Sequence, residues 1–135
     1  MSFVLDCSVT MAWCFEDERT AATDALLARV VDAGAIAPFL WPLEVTNVLL
    51  NAVRRKRIPP EAVNRVAQRI AALPIVIDKD GAEMVWSNPL QLAERYALTS
   101  YDACYLELAQ RKALPLATLD TALRKAAIAA GIVLL

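Results

Sequence analysis

Four acidic residues interrupt apolar sequence where a strand would end or a helix begin. Asp6 follows Val4-Leu5, Glu44 lies in Trp41-Pro42-Leu43-Glu44-Val45, Asp102 in Ser100-Tyr101-Asp102-Ala103, and Asp120 ends Ala117-Thr118-Leu119-Asp120. Each alone reads as a helix cap or a first-turn acid, because a carboxylate favours the positive end of the helix dipole. Taken together they read differently. Asp6, Glu44 and Asp120 all follow strands, so they project from the carboxyl edge of one parallel sheet, where such sheets bind ligands. Asp102 joins them if its helix starts at that edge. Carboxylates gathered this closely repel one another unless cations compensate. An all-oxygen donor set suits Mg²⁺ or Mn²⁺, and such a site orders a phosphodiester and activates a water for hydrolysis.

What the chain lacks narrows the chemistry further. It contains no histidine, which removes Ser-His-Asp and Cys-His nucleophilic sites and imidazole general bases. Cys7, Cys14 and Cys104 form no C-x-x-C pair and read as buried thiols in a reducing compartment. Asp78 also ends an apolar run, but its strand is expected at the sheet edge, which makes Asp78 a remote helix cap. Glu16, Asp17 and Glu18 read as a solvated turn.

Fourteen basic and fifteen acidic residues give a net charge of −1. With four acids gathered in one pocket, the remaining surface is slightly basic and suited to meeting a polyanion once cations fill the pocket. Arg54-Arg55-Lys56-Arg57 closes a helix. Those cations either complement the dipole or, at Arg54, Arg55 and Arg57, contact the phosphates of a nucleic acid. Arg111, Lys112, Arg124 and Lys125 carry the same two readings. Trp13, Trp41 and Trp86 sit in apolar context and are expected in the core or an interface rather than as base-stacking platforms.

The elements that position these residues follow from pattern. At 135 residues and 58% apolar, residues 1–135 are expected to form one domain with a sizeable core. No stretch reaches the ~20 apolar residues of a membrane span, and Asp6 interrupts any signal-like start, so a cytoplasmic location is expected. Phe3-Val4-Leu5, Ala35-Ile36-Ala37, Ile75-Val76-Ile77, Leu116-Ala117-Thr118 and Ile132–Leu135 read as five short buried strands. Helices are expected over Ser8–Phe15, over 20–33 with Ala21, Ala25, Leu26, Val30 and Ala33 inward and Gly34 as the stop, and over Leu43–Lys56. Others are expected from Pro59-Pro60 to Ala72, over 80–96 with a kink or break at Pro89, from a Ser100 cap to Ala113, and over Thr121–Ala130. Strands alternating with helices imply a parallel sheet covered on both faces, a small α/β sandwich.

Asp6-Cys7-Ser8, Pro42-Leu43-Glu44-Val45-Thr46-Asn47, Thr99-Ser100-Tyr101-Asp102-Ala103 and Thr118-Leu119-Asp120, in register along the chain, resemble PIN-domain motifs. The likeness is to the VapC-type toxins of bacterial type II toxin–antitoxin systems. That resemblance implies a three-layer α/β/α sandwich with a mainly parallel five-stranded sheet of order 3-2-1-4-5. It implies Mg²⁺- or Mn²⁺-dependent endoribonuclease activity, homodimers, and inhibition by a VapB-type antitoxin. By position, Asp6, Glu44, Asp102 and Asp120 are the metal-binding and catalytic acids, with Ser8 and Thr118 as supporting hydroxyls. Where many relatives carry a further acid after the Thr-x-Asp motif, this chain has Thr121 and Ala122. Two alternatives stand beside this reading: a catalytically silent PIN-fold interaction module and a phospho-receiver-like signalling domain. The second needs a lysine after its last strand and a helix beyond it.

Overall fold

Phe3, Val4 and Leu5 have no exposed surface, as expected of a central strand sandwiched by helices, where both faces are dry. In the computed structural model, which describes residues 2–135, this segment supplies β1 (Val4–Leu5), followed directly by α1 (Cys7–Cys14) and a 3₁₀ turn, Glu16–Glu18. The chain continues through α2 (Ala21–Ala33), β2 (Ala35–Pro38), α3 (Trp41–Arg54), α4 (Ala62–Ala71) and β3 (Ile75–Asp78). It then runs through α5 (Gly81–Met84), α6 (Asn88–Tyr96), α7 (Ser100–Lys112), β4 (Leu116–Ala117) and α8 (Thr121–Ala129). The strands pair in parallel in the order β3-β2-β1-β4, flanked by helices. None of the described helices is long and apolar enough to cross a membrane.

The first four positions of the expected order are present and the fifth strand is not. Ile132–Leu135 is reduced to a single parallel bridge between Leu116 and Leu134, with Leu116 N–H on the Val133 carbonyl at 2.9 Å and Leu135 N–H on the Leu116 carbonyl at 3.0 Å. The reason lies in β4, which offers only two ladder residues before Thr118 turns its side chain to Asp6.

Local chemistry sets the helix boundaries. The 80–96 segment is two pieces, α5 and α6, and Pro89 sits in the first turn of the second, where its missing N–H costs nothing. Thr99 rather than Ser100 caps α7, its hydroxyl accepting the Asp102 N–H at 3.1 Å. On α2 the inward face is Thr23 and Val30, with Ala21, Ala25 and Ala33 exposed. Thr23 is drawn in because it closes a capping box with Thr20 and its carbonyl accepts Trp13 Nε1–H at 2.8 Å. Gly34 ends α2 at φ +76°, and a Cβ there would stand 3.0 Å from the Pro74 carbonyl, so the turn into β2 favours glycine. Helix α7 is buried on every side from Ala103 to Ala109, Glu107 included, and packs across β1, β2 and β4. Trp41 is buried, Trp13 half-buried, and Trp86 lies 87% exposed in the turn between α5 and α6, so core placement fails for Trp86.

Candidate active site

Asp6 follows β1 and occupies the N-cap position of α1, yet its carboxylate makes no capping bond. It is buried, and its Oδ2 accepts two hydroxyls, Ser8 Oγ at 2.6 Å and Thr118 Oγ1 at 2.7 Å. Both hydroxyls also accept a backbone amide from the loop after β4. Leu119 N–H reaches Ser8 Oγ at 2.9 Å, and Asp120 N–H reaches Thr118 Oγ1 at 3.0 Å. Each hydroxyl thus donates to the acid and accepts one amide of the loop after β4. Oδ1 of Asp6 receives none of these bonds.

The other acids are placed by helix starts. Asp120 caps α8, its Oδ2 accepting Leu123 N–H at 2.8 Å. Glu44 stands in the first turn of α3 and accepts the Tyr105 hydroxyl on Oε1 at 2.5 Å. Trp41 fixes that turn against α1 through an Nε1–H bond to the buried Thr10 hydroxyl at 3.0 Å. Asp102 lies in the first turn of α7. A shallow cleft lined by Leu40, Leu43, Glu44, Asn47 and Tyr101 opens beside Glu44.

The electrostatics tie the four together. Burial pushes the Asp6 carboxyl up, and the Ser8 and Thr118 hydroxyls pull it partly back. Burial also raises Glu44. The Tyr105 hydrogen bond counters that rise, while the charges of Asp6 and Asp102 add to it. Asp102 is pushed up to about 6, first by burial and then by the charges of Asp120 and Asp6. Asp102 is thus within charge range of Asp6 and Asp120. Cys7 is pushed up by burial and by the Glu44 and Asp6 charges, which leaves it a protonated, inert thiol. Among the described residues, none of the four acids forms an ion pair with a lysine or arginine.

No three carboxylate or thiol side chains among the described residues stand close enough to ligate one ion together. The donor chemistry nonetheless fits a hard divalent cation: oxygen donors only, uncompensated charge, and raised proton affinities that a cation would relieve. Mg²⁺ keeps several of its waters and takes one or two carboxylates directly, so it does not require three on one ion.

Asp78 is held elsewhere. It ends the edge strand β3, accepts Gly81 N–H at 3.1 Å at the start of α5, and pairs with Arg111 at 2.5 and 3.1 Å. Glu107, also buried, takes the same guanidinium at 2.7 and 3.2 Å. The Arg111 hydrogen bonds hold Asp78 below the usual carboxylate range, and Arg111 is thereby committed inside the protein. Arg57 is similarly engaged, pairing with Asp17 at 2.6 Å and Glu18 at 2.9 Å and stacking 3.9 Å over Phe15. Arg54 and Arg55 are exposed and make no ion pair among the described residues. Arg124 bonds the Thr118 carbonyl at 2.9 Å, beside the acids.

Tyr105, which donates to Glu44, is the residue at this site that pattern reading misses. Its signal is its place three residues after Asp102, on the same face of one helix.

The family model described as PIN domain matches residues 3–129. Among solved structures, the crystal structure of PAE2754 from Pyrobaculum aerophilum is similar at a TM-score of 0.69 and 23% identity, covering 93% of this chain and 79% of that one. At that identity the likeness is one of fold. No curated protein matches the chain.

Proposed function

The chain belongs to the PIN-domain family, and we propose that it is a divalent-metal-dependent endoribonuclease, the toxin of a type II toxin–antitoxin pair. PIN domains are commonly nucleases. The observation that carries the reading is the set of four acids, drawn from β1, α3, α7 and the loop after β4, left without a cationic side chain at the sheet's carboxyl edge. Asp6, Glu44, Asp102 and Asp120 would hold Mg²⁺ or Mn²⁺, which when bound supplies an activated water and a counter-charge for the phosphate. Ser8 and Thr118 hold Asp6 by one oxygen and free the other for the ion. Asp102, whose proton affinity is raised by burial and by its acidic neighbours, would be held ionised by the cation.

The finer parts of the reading have their own support. Leu43 and Leu50 on α3 are 71% and 45% exposed, apolar surface of the kind that marks a second copy or a partner. A VapB-type antitoxin would take the helices Leu43–Lys56 and Pro60–Ala72. The hollow bounded by Val66, Arg69 and Ile70 of α4 with Trp13, Cys14 and Leu27 offers apolar anchorage there. Arg54 and Arg55, exposed and without an ion pair among the described residues, would meet an RNA strand, and the protein acts as one domain in the cytoplasm. The phospho-receiver alternative falls with the family assignment.

The test is RNA cleavage by the purified chain with Mg²⁺ or Mn²⁺, in parallel with EDTA and with Asp6→Asn. Cleavage is expected with metal and lost in both controls. Cleavage that survives EDTA sinks the metal mechanism. RNA bound but never cut, at any metal concentration, assigns the silent interaction module instead.

A further inference from the structure

We propose that Tyr105 is a positioning residue of this site: its hydroxyl tethers one oxygen of Glu44 so that the other is presented to the bound cation. The proposal rests on the metal-site reading above. Tyr105 has no exposed surface and is among the largest fully buried side chains of the molecule. A phenol sealed into apolar packing needs a partner for its O–H, or it leaves a desolvated polar group unsatisfied. Of all the acceptors near the sheet edge it takes Glu44 Oε1, at 2.5 Å, bridging α7 to α3 across 61 residues of sequence. That length is what a hydroxyl donating to an ionised carboxylate gives. Oε2 of Glu44 accepts no hydrogen bond among the described residues.

Asp6 repeats the arrangement with different donors. Ser8 and Thr118 both donate to Oδ2, and Oδ1 is left clear. Two of the four acids are therefore held by one oxygen each, through uncharged hydroxyls that do not compete with a cation for the other. A lysine or arginine in either place would have filled the charge, as Arg111 does at Asp78. Glu44 needs the tether because its neighbours do not confine it. It lies in a first turn beside Leu43, 71% exposed, at the edge of an open cleft. Without Tyr105, its long side chain is free to turn toward water. Helix α7 thus contributes twice, carrying Asp102 itself and orienting Glu44 through a phenol one turn further on.

Tyr105→Phe keeps the ring and deletes the tether. In a crystal structure of the ion-free variant, the Glu44 carboxylate should leave its position or occupy several rotamers. A Glu44 carboxylate unmoved in Tyr105→Phe overturns the proposal. In calorimetric titration of the full chain with Mn²⁺, affinity should fall about ten- to a hundredfold, the usual consequence of losing a ligand-orienting partner. Affinity within twofold of the parent, with an unchanged circular dichroism spectrum, also overturns it. Glu44→Ala supplies the background that separates positioning from general support. There, adding Tyr105→Phe should weaken Mn²⁺ no further, whereas a further tenfold loss would mean that Tyr105 acts through the fold and not through Glu44. A parent that binds no Mn²⁺ refutes the metal reading itself, a failure distinct from that of the tether, which the ion-free structure decides alone.

Discussion

Asp6 and Asp78 both end strands of one parallel sheet, and both are buried, at 5% and 6% exposure. Asp78 is met by the Arg111 guanidinium, which Glu107 shares, and its proton affinity falls. Asp6 is met by hydroxyls and backbone amides but by no cationic side chain among the described residues, and burial raises its proton affinity. A buried charge is tolerable when paired and expensive when not. Asp78 thus reads as cohesion between β3 and α7, while the Asp6 group reads as a seat for charge brought from outside. The difference lies in the partners, which at Asp78 outweigh the cost of leaving water and at Asp6 do not.

The largest effect expected from this contrast is on cleavage. Asp6→Asn should reduce RNA hydrolysis by about 10³ or more, the several kcal/mol a bound ion contributes. Its ion-free melting temperature should be no lower than the parent's, because one of four repelling charges is gone. Asp78→Asn should leave cleavage and the Mg²⁺-induced rise in melting temperature intact. If Asp78→Asn abolishes cleavage while Asp6→Asn retains it, the contrast is inverted and the family-based site assignment fails with it.

Next in size is the cost of unpairing. Arg111→Met strands two buried carboxylates and should destabilise the protein by about 3–5 kcal/mol in urea unfolding, with activity per folded molecule preserved. A loss within experimental error would mean that the triad contributes no cohesion.

Acidity separates the two regions more finely. Asp102 has a raised pKa in the folded state, so its contribution is fully favourable below the ordinary carboxylate range and is lost as pH rises through about 6. Asp78 has the opposite sign: its contribution is present above that range and disappears on acidification. In EDTA, urea midpoints between about pH 4 and 7 should fall with rising pH, less steeply in Asp102→Asn, and Mg²⁺ should restore the neutral end. An Asp102→Asn profile as steep as the parent's would contradict the charge coupling.

The smallest effect concerns the surface cations. Replacing Arg54 and Arg55 with Gln should lower the salt slope of RNA binding by about 0.7 for each phosphate no longer neutralised. Arg57→Gln should leave the slope unchanged, because Asp17 and Glu18 already occupy Arg57. Equal reductions at all three positions would show that RNA displaces the internal pairs.

Much of this is legible in the amino-acid sequence. The acids at strand ends can be placed because an apolar run followed by Asp has few readings in a parallel sheet. The helix break near Pro89 follows from one missing N–H. What stays hidden depends on partners distant in sequence. Arg111 reads like any basic residue near a helix end, and only the fold brings it to Asp78, 33 residues away. Arg57 is hidden in the same way by Asp17. The ends of α6 and α7 at Ala97 and Ala113, both left-handed at φ +54° and +53°, carry no glycine signal at all. The last strand reads well as a run of apolar residues, but its ladder depends on how many residues β4 leaves for it, which no local pattern encodes.

The bond from Thr118 to Asp6 spans 112 residues, and this gives the site a history as well as a geometry. A ribosome adds roughly 5–20 residues per second, and for most of that time a growing chain holds Asp6 and Glu44 without the helix that brings Asp102 or the loop that brings Asp120. Until Thr118 emerges and β4 docks against β1, one edge of β1 is open and Asp6 lacks one of its two hydroxyl donors. The unfinished polypeptide therefore holds only part of the carboxylate set, which comes together after the segment from Thr118 onward has folded back onto β1.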